Sequence, residues 1–136
     1  MKSYVQNLTG KKMATLNMGV SYDLTIGEIE RLVEANRIGN YAFGYLNNKG
    51  VFIVCYVGRS DTDLRERMKH GVDDMLADPS CRYERFKFSY ANSVNEAYEK
   101  ECRNYHDFGG PEGYLRNKFH PAKPSGYNGA CPVCGD

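Results

Sequence analysis

The sequence predicts an α/β (α+β) fold: a small mixed or antiparallel sheet of about three strands flanked by helices. Two observations carry this. Residues 41–57 read as a hairpin rich in aromatic and β-branched residues, and 86–90 alternate as a further strand. Around them, three capping boxes open stretches of helical periodicity. The order β-β-α-β-α over residues 41–106 describes one sheet covered by helices.

Thr25 and Glu28 form the first capping box, and Ile26, Ile29, Leu32 and Val33 recur at helical spacing, giving a helix to about Asn36. Residues 1–22 before it are weakly patterned, an edge strand or an ordered arm. Tyr41–Leu46, the turn Asn47-Asn48-Lys49-Gly50 and the apolar run Val51–Val57 make the hairpin. A continuous apolar run suits a central strand covered on both faces, and Gly58 is expected to end it. Asp63 and Glu66 open a second helix carrying Leu64, Met68, Met75 and Leu76, with Gly71 as a stop or break. Ser93 and Glu96 open a third, running to about His106. After Phe108 the chain becomes loop-like, with a short Tyr114–Phe119 segment and a Pro/Gly-rich tail.

The 136 residues fit one ordinary domain, and 18 Lys+Arg against 17 Asp+Glu announce no polyanion binder. No apolar run is long enough to span a membrane, and the N-terminus lacks the core of a secretory signal. Five cysteines, with Cys55, Cys81 and Cys102 standing alone, predict a cytoplasmic chain with reduced thiols.

Two features exceed a purely structural pattern. On the third helix Glu101 falls within the apolar face set by Val94, Ala97, Tyr98 and Tyr105. A carboxylate buried there must be ion-paired, metal-bound or in a cleft, unless it reaches water at the edge of the stripe. Secondly, the end of the apolar strand meets a helix start with Arg59, Arg65 and Arg67 close together. This suits an anion site, although by itself it reads more readily as a solvated basic turn balanced by Asp61, Asp63 and Glu66.

Taken as an ordered set, these residues resemble the GIY-YIG nuclease domain. Gly39-Asn40-Tyr41 matches the first motif with Asn in place of Ile. Tyr56-Val57-Gly58 matches the second with Val in place of Ile. Leu64-Arg65-Glu66-Arg67 matches the Leu-x-x-Arg segment, Glu96–Glu101 the helix that carries the metal ligand, and Leu115-Arg116-Asn117-Lys118 the region of the late Asn. The resemblance covers roughly residues 38–121, leaving 1–37 as an N-terminal extension with one helix packed on the core and 122–136 as a tail.

What the resemblance implies is a divalent-metal-dependent endonuclease acting on DNA. Glu101 would bind Mg²⁺ or Mn²⁺, and Arg67 would fork onto the scissile phosphate, with Arg65 as its substitute because the segment from Gly58 to Leu64 is about one residue longer than the resemblance leads one to expect. Tyr41 and Tyr56 would orient the attacking water, one of them acting as general base. An ordinary tyrosine, with a pKa of about 10, needs neighbouring cations for that role. Asn117 and His70 would position substrate. Near-zero net charge then predicts a weak, salt-sensitive grip on DNA, which points to a substrate-delivering partner or a homodimer.

The tail carries Cys131-Pro132-Val133-Cys134, half of a zinc site. Cys102 and His106, at i and i+4 on one helix, would complete a Cys₃His set, with His120 the competing fourth ligand. A catalytically silent nucleic-acid-binding module and a zinc-stabilised protein-interaction domain are the alternative function classes. Redox chemistry fits less well, because the cysteine pair does not precede a helix.

Overall fold

The computed structural model describes residues 15–76, 78, 82–110 and 115–136. The arm over 1–14, Cys81 and the first residue of the 114–119 segment lie outside the described residues.

A two-residue strand β1 (Tyr22–Asp23) precedes helix α1 (Ile26–Leu32), whose N-cap Thr25 accepts from the Glu28 amide at 3.1 Å. The helix ends before Asn36 because tertiary partners take its next backbone groups. Arg65 Nε donates to the Val33 carbonyl at 2.6 Å, and the Glu34 amide donates to the Tyr90 hydroxyl at 2.9 Å. Strands β2 (Gly39–Leu46) and β3 (Phe52–Ser60) form the expected hairpin, closed by Asn47, whose Oδ1 accepts from the amides of Lys49 and Val51. Helix α2 (Leu64–Leu76) follows, then β4 (Arg85–Tyr90) and α3 (Val94–Asp107), capped by Ser93. Gly71 does not stop α2. The helix passes through it, and its missing side chain leaves room for the Phe43 ring, which a Cβ would meet at 3.0 Å.

The fold is α+β, with one antiparallel four-stranded sheet in the order β1-β4-β2-β3 and three helices among the described residues. The central strand of the hairpin is therefore β2, not the apolar β3, which lies at the edge and continues past Gly58 to Ser60. What covers its outer edge is the chain after α3. The Arg116 amide donates to the Cys55 carbonyl at 2.6 Å, while Asn117 Oδ1 accepts from the Val57 amide at 3.0 Å and its Nδ2 donates to the Val57 carbonyl at 2.7 Å. A fully buried Val57 explains why an edge strand is so apolar.

Two core layers sandwich the sheet. On one face α1 and α2 bring Ile29, Val33, Leu64, Met68 and Val72 against Tyr41, Phe43 and Phe86. On the other, Tyr105 and Phe108 at the end of α3 pack with Ala42, Phe52, Val54 and Val57. The β2–β3 register shifts between Phe43 and Gly44, a bulge on β3 at Cys55. Phe52 and Val54 precede it and Val57 follows it, all on the α3 side. Plain alternation from Phe52 and Val54 would put Tyr56 on that side too; the bulge at Cys55 instead sets it opposite Phe43, on the face of Tyr41. Cys55 is disulfide-bonded, which corrects the expectation of an isolated reduced thiol there; Cys102, Cys131 and Cys134 are free. No helix among the described residues is long and apolar enough to cross a membrane.

Candidate functional site

Tyr41 sits in β2 directly opposite Gly58 of β3. Because Gly58 has no side chain, the Tyr41 ring lies across it, and an added Cβ there would overlap the ring and hydroxyl. Tyr56, diagonal to Tyr41 on the same face, brings its ring centroid to 6.3 Å. From α2, the Arg67 guanidinium reaches both phenols, bonding and attracting each of them. Burial nevertheless pushes both hydroxyls above the ordinary phenol range, with Arg67 opposing the rise. In the protein alone neither tyrosine is a ready base at neutral pH.

Glu101 reaches the same place from α3, on the other side of the sheet. It is buried, 8 % exposed, as the helical phase predicts. Its Oε1 accepts from Arg59 Nη1 at 2.6 Å, and Arg59 Nε also donates to Asp61 at 2.8 Å. Burial raises the Glu101 carboxyl above its usual range, and Arg59 pulls it back. Of the sequence alternatives for Glu101, the ion pair with a buried Arg and the cleft both hold.

Tyr56, Gly58, Arg59, Asp61, Arg67 and Glu101 line a cleft of about 230 Å³ at the outer side of β3, with Ala122 of the tail. Tyr41 lies beneath it, 1 % exposed. A larger groove of about 820 Å³ adjoins, sharing Tyr56, Glu101 and Ala122 and walled by residues 116–121 together with Asp74, Met75, Asp78 and Tyr83.

Three expected positions fall elsewhere. His70 lies exposed on α2 and lines neither cleft. Arg65 cannot stand in for Arg67, since its side chain caps α1 through Val33. Asn117 lines the larger groove, but both ends of its amide are spent on the Val57 backbone, so it positions chain and not substrate. Asn117→Ala leaves a buried amide and carbonyl unpaired and is expected to cost about 2–4 kcal/mol in denaturant unfolding; a loss under about 1 kcal/mol would show that the clamp is dispensable.

At the far end of α3, His106, His120, Cys131 and Cys134 present ligand atoms that all lie within 4.8 Å of one another, a group able to hold a metal ion such as zinc. Cys102 is outside it, buried against Tyr98 and Cys131, so the Cys₃His set is corrected to His₂Cys₂. Cys102 does follow the i, i+4 spacing, but it lies one turn deeper in the apolar layer, whereas His120 is carried to the group by the segment clamped at Asn117. Burial raises the Cys131 thiol. The Cys134 and Val133 amides with the His120 and Cys102 side chains outweigh it, bringing the pKa down to about 5.

Sequence reasoning left Arg59 among generic anion-holding cations and missed its pairing with Glu101. The pairing joins positions far apart in the chain, and neither helical phase nor strand pattern encodes it. Comparison with protein-family models, curated proteins and solved structures finds no match to this chain.

Proposed function

We propose that the chain is a divalent-metal-dependent endonuclease that hydrolyses phosphodiester bonds of DNA. The observation that carries this reading is the convergence on one cleft of Tyr56, Arg67 and Glu101, from a strand and from helices on opposite faces of the sheet, with Tyr41 directly beneath. These are the positions to which the resemblance assigns the chemistry.

In this reading Arg67, with its guanidinium at the cleft, neutralises charge on the scissile phosphate by paired N–H donation. The two tyrosine hydroxyls orient a water for attack on phosphorus. The new P–O bond forms as the bond to the leaving sugar oxygen breaks; the attacking water gives up its proton to solvent, and the leaving oxygen takes one from solvent. Glu101 would hold Mg²⁺ or Mn²⁺ through the carboxylate oxygen that Arg59 does not engage, since magnesium keeps several waters and needs few protein ligands. When bound, that ion supplies charge neutralisation and lowers the pKa of a ligated water.

A second reading is favoured by one contact. The Arg59–Glu101 ion pair already satisfies part of the carboxylate, as it would in a silent nucleic-acid-binding module. Nicking of supercoiled plasmid with Mg²⁺ or Mn²⁺ separates the two. The parent is expected to nick, and Arg67→Ala, at an exposed position, to lose at least about 10²-fold in rate while keeping the parent's circular-dichroism spectrum, its stability falling by no more than about 1–3 kcal/mol as the Tyr41 hydroxyl loses a partner. DNA binding without cleavage under any divalent metal would support the silent module and overturn the enzyme.

A further inference from the structure

We infer that His106, His120, Cys131 and Cys134 bind a structural zinc ion that staples the C-terminal tail to the end of α3 and so fixes the wall of the cleft beside Glu101. The donor set is soft and complete. Two imidazoles and two thiolates are the four ligands a closed tetrahedral zinc site takes. Zinc bonds of about 2.1 Å to nitrogen and 2.3 Å to sulfur place ligand atoms roughly 3.3–3.8 Å apart. The Cys134 Sγ to His120 Nε2 separation is already 3.4 Å, and the whole group needs only a modest contraction.

Two of the ligands, His120 and Cys131, are held from behind. His120 Nδ1 lies 3.0 Å from the Pro121 carbonyl, and donation there leaves the Nε2 lone pair for the metal. His106 Nε2 is buried with no hydrogen-bond partner, a polar atom otherwise left unsatisfied on a residue of the group. The Val133 amide lies 3.4 Å from Cys131 Sγ, as in the tight turns that hold thiolates on zinc. Backbone bonds from Gly135 to the Cys131 carbonyl at 3.0 Å and from Cys131 to the Asp136 carbonyl at 2.8 Å close the turn on itself.

The consequence follows from connectivity. His106 lies in the last turn of the helix that carries Glu101, and His120 directly follows the segment that pairs with β3 through Arg116 and Asn117. One ion would join the two walls of the larger groove behind the cleft. Four protein ligands leave no open position, so this ion holds structure and does not activate water.

The test reads metal and chain protection, not cleavage, so it stands or falls separately from the nuclease reading. The full chain, purified with zinc supplied and excess metal removed, is expected to retain stoichiometric zinc by mass spectrometry. Cys134→Ser and His120→Ala, at exposed and half-exposed positions, are expected to lose it while keeping the circular-dichroism spectrum of the parent. Cobalt substitution checks the ligand set without any variant: tetrahedral bands with charge transfer from two thiolates are expected, and three would replace this set by one that includes Cys102. Zinc removal should make trypsin cut faster after Arg116 and Lys118. Sub-stoichiometric zinc in the parent, or full zinc in both variants, overturns the site. Equal trypsin resistance with and without zinc overturns the staple.

Discussion

Glu101→Gln is expected to abolish metal-dependent nicking of DNA, a fall of at least about 10²–10³-fold, with little change in melting temperature. The isostere keeps an oxygen for Arg59 and preserves side-chain volume, so the packing of α3 is retained. What it removes is the negative charge that a divalent cation requires. Glu101→Ala is the less informative change, because it withdraws the partner from a guanidinium whose side chain is only 11 % exposed. Breaking a buried pair in that way costs about 3–5 kcal/mol in general. Here Asp61, still bound to Arg59 at 2.8 Å, should hold the loss toward the lower figure. Nicking by Glu101→Gln at the parental rate, under saturating Mg²⁺, would remove Glu101 from the chemistry and with it the proposed function.

The second large effect lies at two glycines. Gly39→Ala puts a methyl into the Ser89 carbonyl and within 2.9 Å of Leu64 Cδ2. The carbonyl belongs to the β2–β4 pairing and cannot rotate away, so the strands must separate locally. A loss of about 3 kcal/mol is expected, or about 10 °C in melting temperature for a chain of this size. Gly58→Ala meets a side chain instead, the Tyr41 ring, which has neighbours in Phe43 and Tyr56 at centroid distances of 4.9 and 6.3 Å. The ring must swing off Gly58 and away from Arg67. The expected pattern is a smaller stability loss, about 1–2 kcal/mol, with a larger loss of nicking. Thermal melts and nicking assays on both variants check the contrast. Parental melting and activity in Gly58→Ala would show that Tyr41 does not need the space.

The same two glycines show why local sequence went as far as it did. Each motif pairs a glycine with a tyrosine, and the structure supplies a packing reason for both: backbone approach at Gly39 and a ring laid on Gly58. The capping boxes at Thr25 and Ser93 start helices where their spacing says, since a cap is a contact within four residues. Burial of Glu101 follows from helical phase alone. Where helices end was less legible. The stop of α1 at Leu32 depends on Arg65 and Tyr90, which lie far along the chain.

Alone, then, the sequence determined the helices, the hairpin and the strand β4, their order, the buried carboxylate of α3 and the pairing potential of the Cys131–Cys134 turn, because each is written in short-range spacing; the short edge strand β1 it left open against an ordered arm. Tertiary structure decided what those elements do to one another. It put β2 and not β3 at the centre, and used a bulge at Cys55 to turn Tyr56 onto the face of Tyr41. It gave Glu101 to Arg59, spent Asn117 on the exposed edge of β3, and chose His120 over Cys102 for the metal group. The physical reason is common to all of these. Edge amides, buried charges and vacant ligand atoms are satisfied by whichever group the fold carries to them, and that identity depends on distance in space, which spacing along the chain does not contain.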